Sequence, residues 1–305
     1  MFTAPSNGHG THAASRPDEA GSDAGGFSHV GLQRTANEDT YLIATFQRSI
    51  RIVDGTAQPK HPGWSTNETF GTLLMVADGM GGHGGGDIAS QSAVDAIANY
   101  LMHVVPWASS MLESLPTDAR TSIHGLRSKL SSAVLAADDA IRAQSETSGA
   151  PRMGTTLTLA FVARPALYVA HVGDSRCYLL RDGKLLQLTN DHTLANQVER
   201  MGGPALSESA QLHHILWNCL GGGGDSRPVP DLVKVQLQPS DAVFLCTDGL
   251  TNELREEQIA AELQRPGPSK DVCERLVRLA NEHGGRDNST AVLLRHRGGT
   301  TPARP

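Results

Sequence analysis

The stretch TLLMVADGMGGHGGGD, from Thr72 to Asp87, decides how this chain is interpreted. Residues 72–77 are almost entirely apolar and form a short run, which predicts a strand inside a hydrophobic core. Asp78 ends that run, and a loop made mostly of glycine follows, with His83 in its middle. A turn requires one or two glycines, so this loop indicates a place where bare backbone comes close to a small, anionic ligand. A P-loop would need Gly-Lys-Ser/Thr after the glycines, and GGGDIA stands there instead.

A second Asp-Gly pair repeats the pattern. The stretch DAVFLCTDGL carries an apolar strand into Asp248 and Gly249, with no partner strand close behind. The other two pairs have ordinary explanations: Asp182 begins a hairpin turn between matched strands, and Asp54 lies in a polar loop. The two unusual pairs therefore predict carboxylates at the ends of core strands.

Three more acidic residues have similar positions. Glu38 and Asp39 begin the strand that contains TYLIATF, and Asp287 precedes the strand STAVLL. If these strands are neighbours, the carboxylates converge, repel one another and raise one another's pKa. Divalent cations relieve such repulsion, and oxygen ligands favour Mg²⁺ or Mn²⁺. From the pattern alone, separate surface turns remain an alternative.

The order of predicted elements indicates the fold class. Strands come first, then two helical stretches over 87–105 and 118–145, then strands, then helices over 256–264 and 269–283, and a last strand. This order lacks strict βαβ alternation and favours an α+β domain, with antiparallel sheets packed together and helices outside. Residues 1–26 and 298–305 have the composition of disordered tails. Residues 47–71 form a polar insertion, and residues 193–220 are predicted to be a polar, largely helical segment.

Composition narrows the functional classes. The net charge of −6 disfavours a general nucleic-acid binder. The four cysteines contain no CxxC pair, so a zinc site has no support. Three of them have apolar surroundings, which predict buried free thiols and a reducing compartment. No run is long and apolar enough to predict a membrane span, and the N-terminus lacks the order of a signal peptide. We expect a cytoplasmic protein.

Six blocks in order resemble one family. They are VGLQRTANED, VADGMGGHGGGDIAS, MGTTLTLAFV, AHVGDSRCYLLRDGKLLQLTNDHT, LCTDGL and GGRDNSTAVLL. Together they resemble the bacterial form of the metal-dependent protein serine/threonine phosphatases, the type-2C-like family, over residues 27–297. The resemblance implies a central β-sandwich of two antiparallel sheets flanked by helices on both sides. It also implies hydrolysis of phosphoserine or phosphothreonine esters by a water or hydroxide that bridges two Mn²⁺ or Mg²⁺ ions.

The resemblance assigns roles residue by residue. It implies that Asp78 bridges both ions, that Gly79 binds through its carbonyl, and that Asp248 and Asp287 bind the first ion. It places two further acids near the second ion, Asp39 through water and Glu38. It implies that Arg34 binds the phosphate and that Asp174 is a ligand of a third metal ion. It also implies that residues 193–220 form a flap beside the site.

The proton donor for the leaving group is not fixed by the resemblance. Animal members often carry a histidine directly after the first Asp-Gly, but Met80 stands at that position here. His83 is a candidate general acid, and His171 and His192 are alternatives, with His171 equally readable as a core histidine. Gly154, Thr155 and Thr156 are expected to serve packing.

The resemblance also implies what the substrates are, and it leaves two alternative functions open. The substrates would be proteins phosphorylated by a serine/threonine kinase, and a link to type VI secretion is one hypothesis. A phosphoprotein-binding pseudophosphatase would lack a metal acid, and none is missing. A hydrolase of small phosphate esters would need the same ions.

Overall fold

The computed structural model of the protein describes residues 22–48, 68–81, 85–114, 119–163, 165–204, 211–223 and 226–296. Within these residues the strands are β1 (Ser22–His29), β2 (Asp39–Arg48), β3 (Glu68–Met80), β4 (Gly154–Thr155), β5 (Leu157–Ala163), β6 (Ala166–Val172), β7 (Arg176–Arg181), β8 (Lys184–Gln187), β9 (Leu220–Gly221), β10 (Asp231–Gln236), β11 (Ala242–Cys246) and β12 (Ser289–His296). The helices are α1 (Gly86–Ser114), α2 (Ala119–Ser148), α3 (Leu194–Arg200), α4 (Asp248–Thr251), α5 (Glu256–Gln264) and α6 (Ser269–His283).

The strands form two antiparallel sheets. One has the order β1-β12-β11-β7-β8, and the other has the order β10-β6-β5-β3-β4-β9, with β2 also paired to β3. The hairpin between β7 and β8 turns at Asp182 and Gly183, which both have positive φ, as the Asp-Gly pair predicts. All of the described strand pairs are antiparallel, so the α+β sandwich expected from the sequence is confirmed.

Strand β3 explains why its sequence is apolar on both faces. Leu73, Met75 and Ala77 pack against α1 and α2, whereas Leu74 and Val76 face the other sheet. Side chains alternate across a strand, so burial on both faces requires a continuous apolar run. A separate core between α6 and the other sheet contains residues of β11, β12 and α4–α6. The four layers are therefore helices, sheet, sheet and helices.

The predicted N-terminal tail of residues 1–26 was wrong at its C-terminal end, because β1 begins at Ser22. The glycines that favoured disorder are required by close packing. A Cβ atom at Gly25 would lie 2.3 Å from the backbone nitrogen of Lys270 in α6, and one at Gly26 would lie 2.6 Å from the Tyr41 ring. Backbone pairing with β12 stabilises this strand, and Ala24 and Phe27 pack against the neighbouring cores.

The predicted helical segment over 193–220 was only partly correct. The structure has α3, a 3-10 turn at Gln211–His214, a bridge between Thr193 and Leu216, and β9. In the predicted insertion, β2 extends to Arg48 and β3 begins at Glu68. Residues 49–67, residues 1–21 and residues 297–305 lie outside the described residues. Among the described residues, no helix combines the length and the hydropathy needed to cross a bilayer.

Candidate active site

The candidate site lies where the core between the two sheets ends. In β3 the positions that face the other sheet run from Leu74 through Val76 to Asp78. Asp39, at the start of β2, is the cross-strand partner of Asp78. The same strand faces that bury apolar side chains therefore carry two carboxylates at their end.

The opposite sheet supplies hydroxyl groups to Asp39. Thr247 comes after the β11 residues that face the other sheet, and Thr290 comes before those of β12. Both threonines are fully buried. Their hydroxyls donate to the Oδ2 atom of Asp39 at 2.9 and 2.7 Å. The Oδ1 atom is buried with no hydrogen-bond partner. Desolvation raises the pKa of Asp39 to about 7, against the opposing effect of the two hydroxyls.

Asp78, Asp248 and Asp174 interact with one another. Desolvation raises the pKa of Asp78 well above its ordinary value, and the charges of Asp39, Asp248 and Asp174 add to the rise. Desolvation and then the charge of Asp248 likewise raise the pKa of Asp174. A hydrogen bond between the carboxyls of Asp78 and Asp248 favours the proton on Asp78. Each carboxylate keeps a partly exposed face that an ion or a substrate can reach.

Asp248 begins the short helix α4 directly after β11. Desolvation and then the charge of Asp287 raise its pKa. The Nδ2 atom of Asn252 donates to its Oδ2 atom at 3.0 Å. The charge of His214, in the 3-10 turn of the flap, also acts on Asp248 and lowers its pKa. The turn Gln211–His214 is therefore close enough to the acids to influence them.

Gly79 is held where no side chain fits. A Cβ atom there would lie 2.1 Å from the carbonyl oxygen of Gly86 and 2.7 Å from that of Glu38. Gly86 begins α1, and its backbone N–H bonds to the Glu38 carboxylate. Desolvation and then the charge of Asp87 raise the pKa of Glu38. The glycine-rich sequence thus lets β3, the α1 N-terminus and Glu38 meet.

Arg34 lies at the rim of the site. Its Nη2 atom donates to the Oδ2 atom of Asp287 at 2.6 Å, and its side chain is 54% exposed. Asn288 fixes the loop that carries Arg34: its Nδ2 atom donates to the carbonyls of Val30 and Ala36, and its Oδ1 atom accepts from the backbone of Glu38. The sequence analysis did not single out Asn288, although it directly follows Asp287.

Thr155 and Thr156 do more than the expected packing. The backbone N–H of Asp78 donates to the Oγ1 atom of Thr156 at 3.0 Å. The carbonyl of Asp78 accepts from the Thr156 backbone at 2.9 Å and from the Thr155 hydroxyl at 2.8 Å. These bonds fill the break between β4 and β5, and they fix the backbone of Asp78 from both sides.

Asp191 is another acid that the sequence analysis missed. Its charge contributes to the raised pKa of Asp174. It also accepts hydrogen bonds from Arg176, whose Nε atom donates to both carboxylate oxygens at 3.0 Å and whose Nη2 atom donates to Oδ2 at 2.6 Å. Arg176 therefore neutralises this acid, whereas no such ion pair of Asp174 occurs among the residues that the structure describes.

The candidate histidines are not equivalent. His83 lies outside the described residues. His171 donates from Nε2 to the carbonyl of Asn190 at 3.0 Å and accepts at Nδ1 from Thr158 at 2.9 Å. Desolvation lowers the pKa of His171 to about 3, so it is a core histidine. His192 is 1% exposed, and its Nε2 atom lies 3.3 Å from Asp231 without hydrogen-bond geometry.

The donors suit hard divalent cations, because the candidate ligands are carboxylates and one backbone carbonyl. The unpaired Oδ1 atom of Asp39 is a second indication, since an orphaned buried oxygen needs a partner. Within the described ranges, no three acidic, histidine or cysteine side chains are gathered tightly enough to ligate one ion directly. The fit therefore rests on donor chemistry and on the unpaired oxygen, not on preformed coordination.

Comparison with known proteins agrees with this geometry. Residues 57–293 match the family model described as Protein phosphatase 2C. The serine/threonine phosphatase Stp of Listeria monocytogenes is 34% identical over 226 residues, which is 73% of this chain and 83% of that protein.

Solved structures have the same fold. The Mycobacterium tuberculosis phosphatase PstP/Ppp is 30% identical with a TM-score of 0.68, over 90% of this chain and 99% of that one. The PstP catalytic domain in complex with two manganese ions is 31% identical with a TM-score of 0.65, over 90% and 97%. PppA of Pseudomonas aeruginosa, described as a regulatory component of the type VI secretion system, covers 90% and 97% at a TM-score of 0.62, but at 24% identity it supports the fold alone.

The family model spans most of the chain, and the Stp relative exceeds 30% identity over most of both proteins. The chain belongs to the protein phosphatase 2C family of serine/threonine phosphatases.

Proposed function

We propose that this protein hydrolyses phosphoserine and phosphothreonine esters with two divalent cations held among Asp39, Asp78, Asp248 and Asp287. The main support for this proposal is the group of desolvated carboxylates at one end of the sandwich, in which one oxygen of Asp39 has no hydrogen-bond partner. When bound, the ions would neutralise the phosphate and lower the pKa of the attacking water.

The chain's own groups would divide the remaining work. Asp78 and the Gly79 carbonyl would hold both ions from β3, Asp248 and Asp287 would hold the first, and Asp39 would act at the second through water. Glu38 is less well suited as a direct ligand, because Gly86 already occupies its carboxylate. Asp174 would bind a third ion, because its desolvated carboxylate faces Asp248.

Arg34 would bind the phosphate. Its exposed guanidinium is held by a single described contact with Asp287, and its planar N–H groups match phosphate oxygens. Asp287 would hold an ion while the exposed Arg34 beside it binds the phosphate. The leaving alkoxide also needs a proton, and His83 remains our candidate donor.

The choice between Mn²⁺ and Mg²⁺, the partner kinase, the cytoplasmic location and the hypothetical link to type VI secretion remain predictions. The PstP complex with two manganese ions supports Mn²⁺ as the first ion to test. A hydrolase of small phosphate esters is the second candidate, because it would use the same acids.

Phosphate release from a phosphothreonine peptide tests the proposal. We expect turnover with Mn²⁺, none with EDTA, and a fall of at least about 10²-fold in the Asp248→Ala variant, since one electrostatic group in such a site is worth that much. Asp95→Ala, an exposed acid of α1, is the matched control and should keep full activity. A small aryl phosphate cleaved faster than the peptide would favour the second candidate. Folded, Mn²⁺-loaded protein that cleaves neither would contradict both.

A further inference from the structure

A cavity of about 350 Å³ opens beside the candidate site. Gly81 and Gly85 line one side, and residues 149–153, between α2 and β4, line the other. This volume lies at the lower end of the roughly 300–1,000 Å³ typical of small-ligand pockets, which suits one side chain better than a whole cofactor. Nothing in the proposed hydrolysis uses it.

The cavity shares its walls with the proposed ion site. Gly81 follows Gly79 by two residues, so their Cα atoms are at most about 7.6 Å apart. Gly85 precedes Gly86, whose N–H binds the Glu38 carboxylate. On the other side, Gly154 pairs with Met80 directly after Met153. A group in the cavity therefore lies within a few residues' reach of a phosphate at the carboxylates.

Arg152 gives this cavity its chemical character. It is the one charged residue among the described lining residues, and the rest are glycine, alanine, proline and methionine. Its side chain is exposed, and no hydrogen bond or ion pair of its guanidinium occurs in the part of the chain that the structure describes. The backbone at Gly223 approaches its side-chain stem, because a Cβ atom there would lie 3.2 Å from Cγ of Arg152. The stem of Arg152 therefore lies against the backbone at Gly223, and its guanidinium has no partner among the described residues.

We propose that this pocket binds an anionic side chain of the substrate, a carboxylate or a second phosphate, two or three residues from the phosphorylated serine or threonine. An extended peptide advances about 3.3–3.4 Å per residue, so two or three residues cover about 7–10 Å, compared with the upper bound of about 7.6 Å between Gly79 at the ion site and Gly81 at the pocket. Glycine and small apolar residues let the peptide backbone approach, and Arg152 pairs with the anion. This inference rests on the proposed function and names the class of substrate that it favours.

The test compares phosphothreonine peptides that differ at one flanking position. Glutamate, alanine, lysine or a second phosphothreonine is placed in turn at each position from three before to three after the scissile residue. Full-length protein with Mn²⁺ is assayed as wild type, as Arg152→Glu, and as Arg278→Glu, the same charge change at an exposed position of α6. Thermal unfolding confirms that each variant folds.

We expect wild type and Arg278→Glu to favour an anion at one or two positions by about tenfold in kcat/KM, mainly through KM. Arg152→Glu should remove this preference while its rate on a small aryl phosphate stays within about twofold of wild type, since that substrate does not reach the pocket. Preference for both anions identifies charge as the feature recognised, and preference for the second phosphate alone identifies multiply phosphorylated substrates.

A flat wild-type profile, or a preference that survives in Arg152→Glu, would overturn the inference without affecting the proposed hydrolysis. If the wild type cleaves no substrate, the proposed function fails separately. Fluorescence anisotropy of labelled peptides on the Mn²⁺-loaded protein then decides the inference. Tighter binding of the acidic peptide that requires Arg152 would support it, and equal binding would refute it.

Discussion

The fold surrounds two sets of buried carboxylates differently: Asp138 on α2, and the acids of the candidate site. Asp138, on α2, has a side chain with 0% exposure, and it accepts hydrogen bonds from the Gly221 backbone at 2.8 Å, Arg142 at 2.8 Å and Arg227 at 3.0 Å. Asp39 at the candidate site has two threonine hydroxyls, one unpaired oxygen and other acids nearby. The chain supplies its own cations to the first carboxylate and none to the second.

The difference separates a structural role from a functional one. Asp138 joins α2 to the strand that follows the flap, and paired guanidinium groups make its burial tolerable. Burial and then mutual repulsion raise the pKa of the site acids, so the metal-free protein holds protons there. Of the site acids only Asp287 has an ion pair among the described residues, with the exposed Arg34, so the buried acids are prepared for cations from solution.

The largest effect should come from Asp138→Asn. The amide keeps the shape, but it places an N–H group against two arginines and loses the ionic hydrogen bonds. We expect the free energy of unfolding to fall by about 2–3 kcal/mol, measured by urea denaturation. Asp139→Asn is the matched control, because Asp139 binds the same Arg227 but is 60% exposed, and it should cost less than about 1 kcal/mol. Equal losses in the two variants would show that burial at Asp138 is not what matters.

The substitution of aspartate by asparagine at Asp39 should raise the stability of the metal-free protein, whereas at Asp138 it should lower it. The pKa of Asp39 is raised to about 7 from an ordinary value of 3.8, so its contribution to stability is complete below about pH 4 and is lost as pH rises through 7. His171 acts in the opposite direction, because it is neutral in the folded protein and still partly protonated in the unfolded chain near its ordinary pKa of 6.5.

We therefore expect metal-free wild type to lose on the order of 1 kcal/mol more stability than Asp39→Asn between pH 6.5 and pH 8, because the contributions of the histidines cancel in this difference. Saturating Mn²⁺ should reverse the slope in wild type, because ions bind the deprotonated acids of the folded state alone. Urea titrations at four pH values, with and without Mn²⁺, measure both effects. A wild-type slope that Asp39→Asn leaves unchanged would remove Asp39 as its source.

The positions of the core strands, and of the acidic residues that follow them, could be predicted from the sequence. The run before Asp78 required a strand buried on both faces, and the helices Glu256–Gln264 and Ser269–His283 lie at the predicted positions. Local pattern determines these features, since hydrophobic period and flanking turn residues are close together in the chain. The convergence of strand ends also followed, once antiparallel neighbours were assumed.

Features that depend on distant pairs could not be predicted. Thr290 reaches Asp39 across 251 positions, and Asn288 reaches Ala36 across 252. Strand β1 depends on a close approach to α6 that its glycine-rich composition conceals. Asp138 looked like an ordinary polar residue of an amphipathic helix, because its arginine partner Arg227 lies beyond the flap. Tertiary contacts, not local propensity, decide each of these cases.

The smallest effect is expected when one threonine hydroxyl is removed. The comparison is between a hydroxyl that donates to Asp39 and one that makes hydrogen bonds only within the core. Thr290→Val removes the 2.7 Å hydrogen bond that orients Asp39, and we expect Mn²⁺ to bind about tenfold more weakly in calorimetry, as loss of an outer partner usually causes. Thr158→Val is the matched control: this hydroxyl is equally buried, but its described hydrogen bonds are to His171 and to the carbonyl of Ser175. It should reduce stability by a similar amount, about 1 kcal/mol, and leave Mn²⁺ affinity unchanged. If both variants weaken Mn²⁺ binding equally, the loss reflects general loosening of the sandwich, and Asp39 would not depend on its hydroxyl partners.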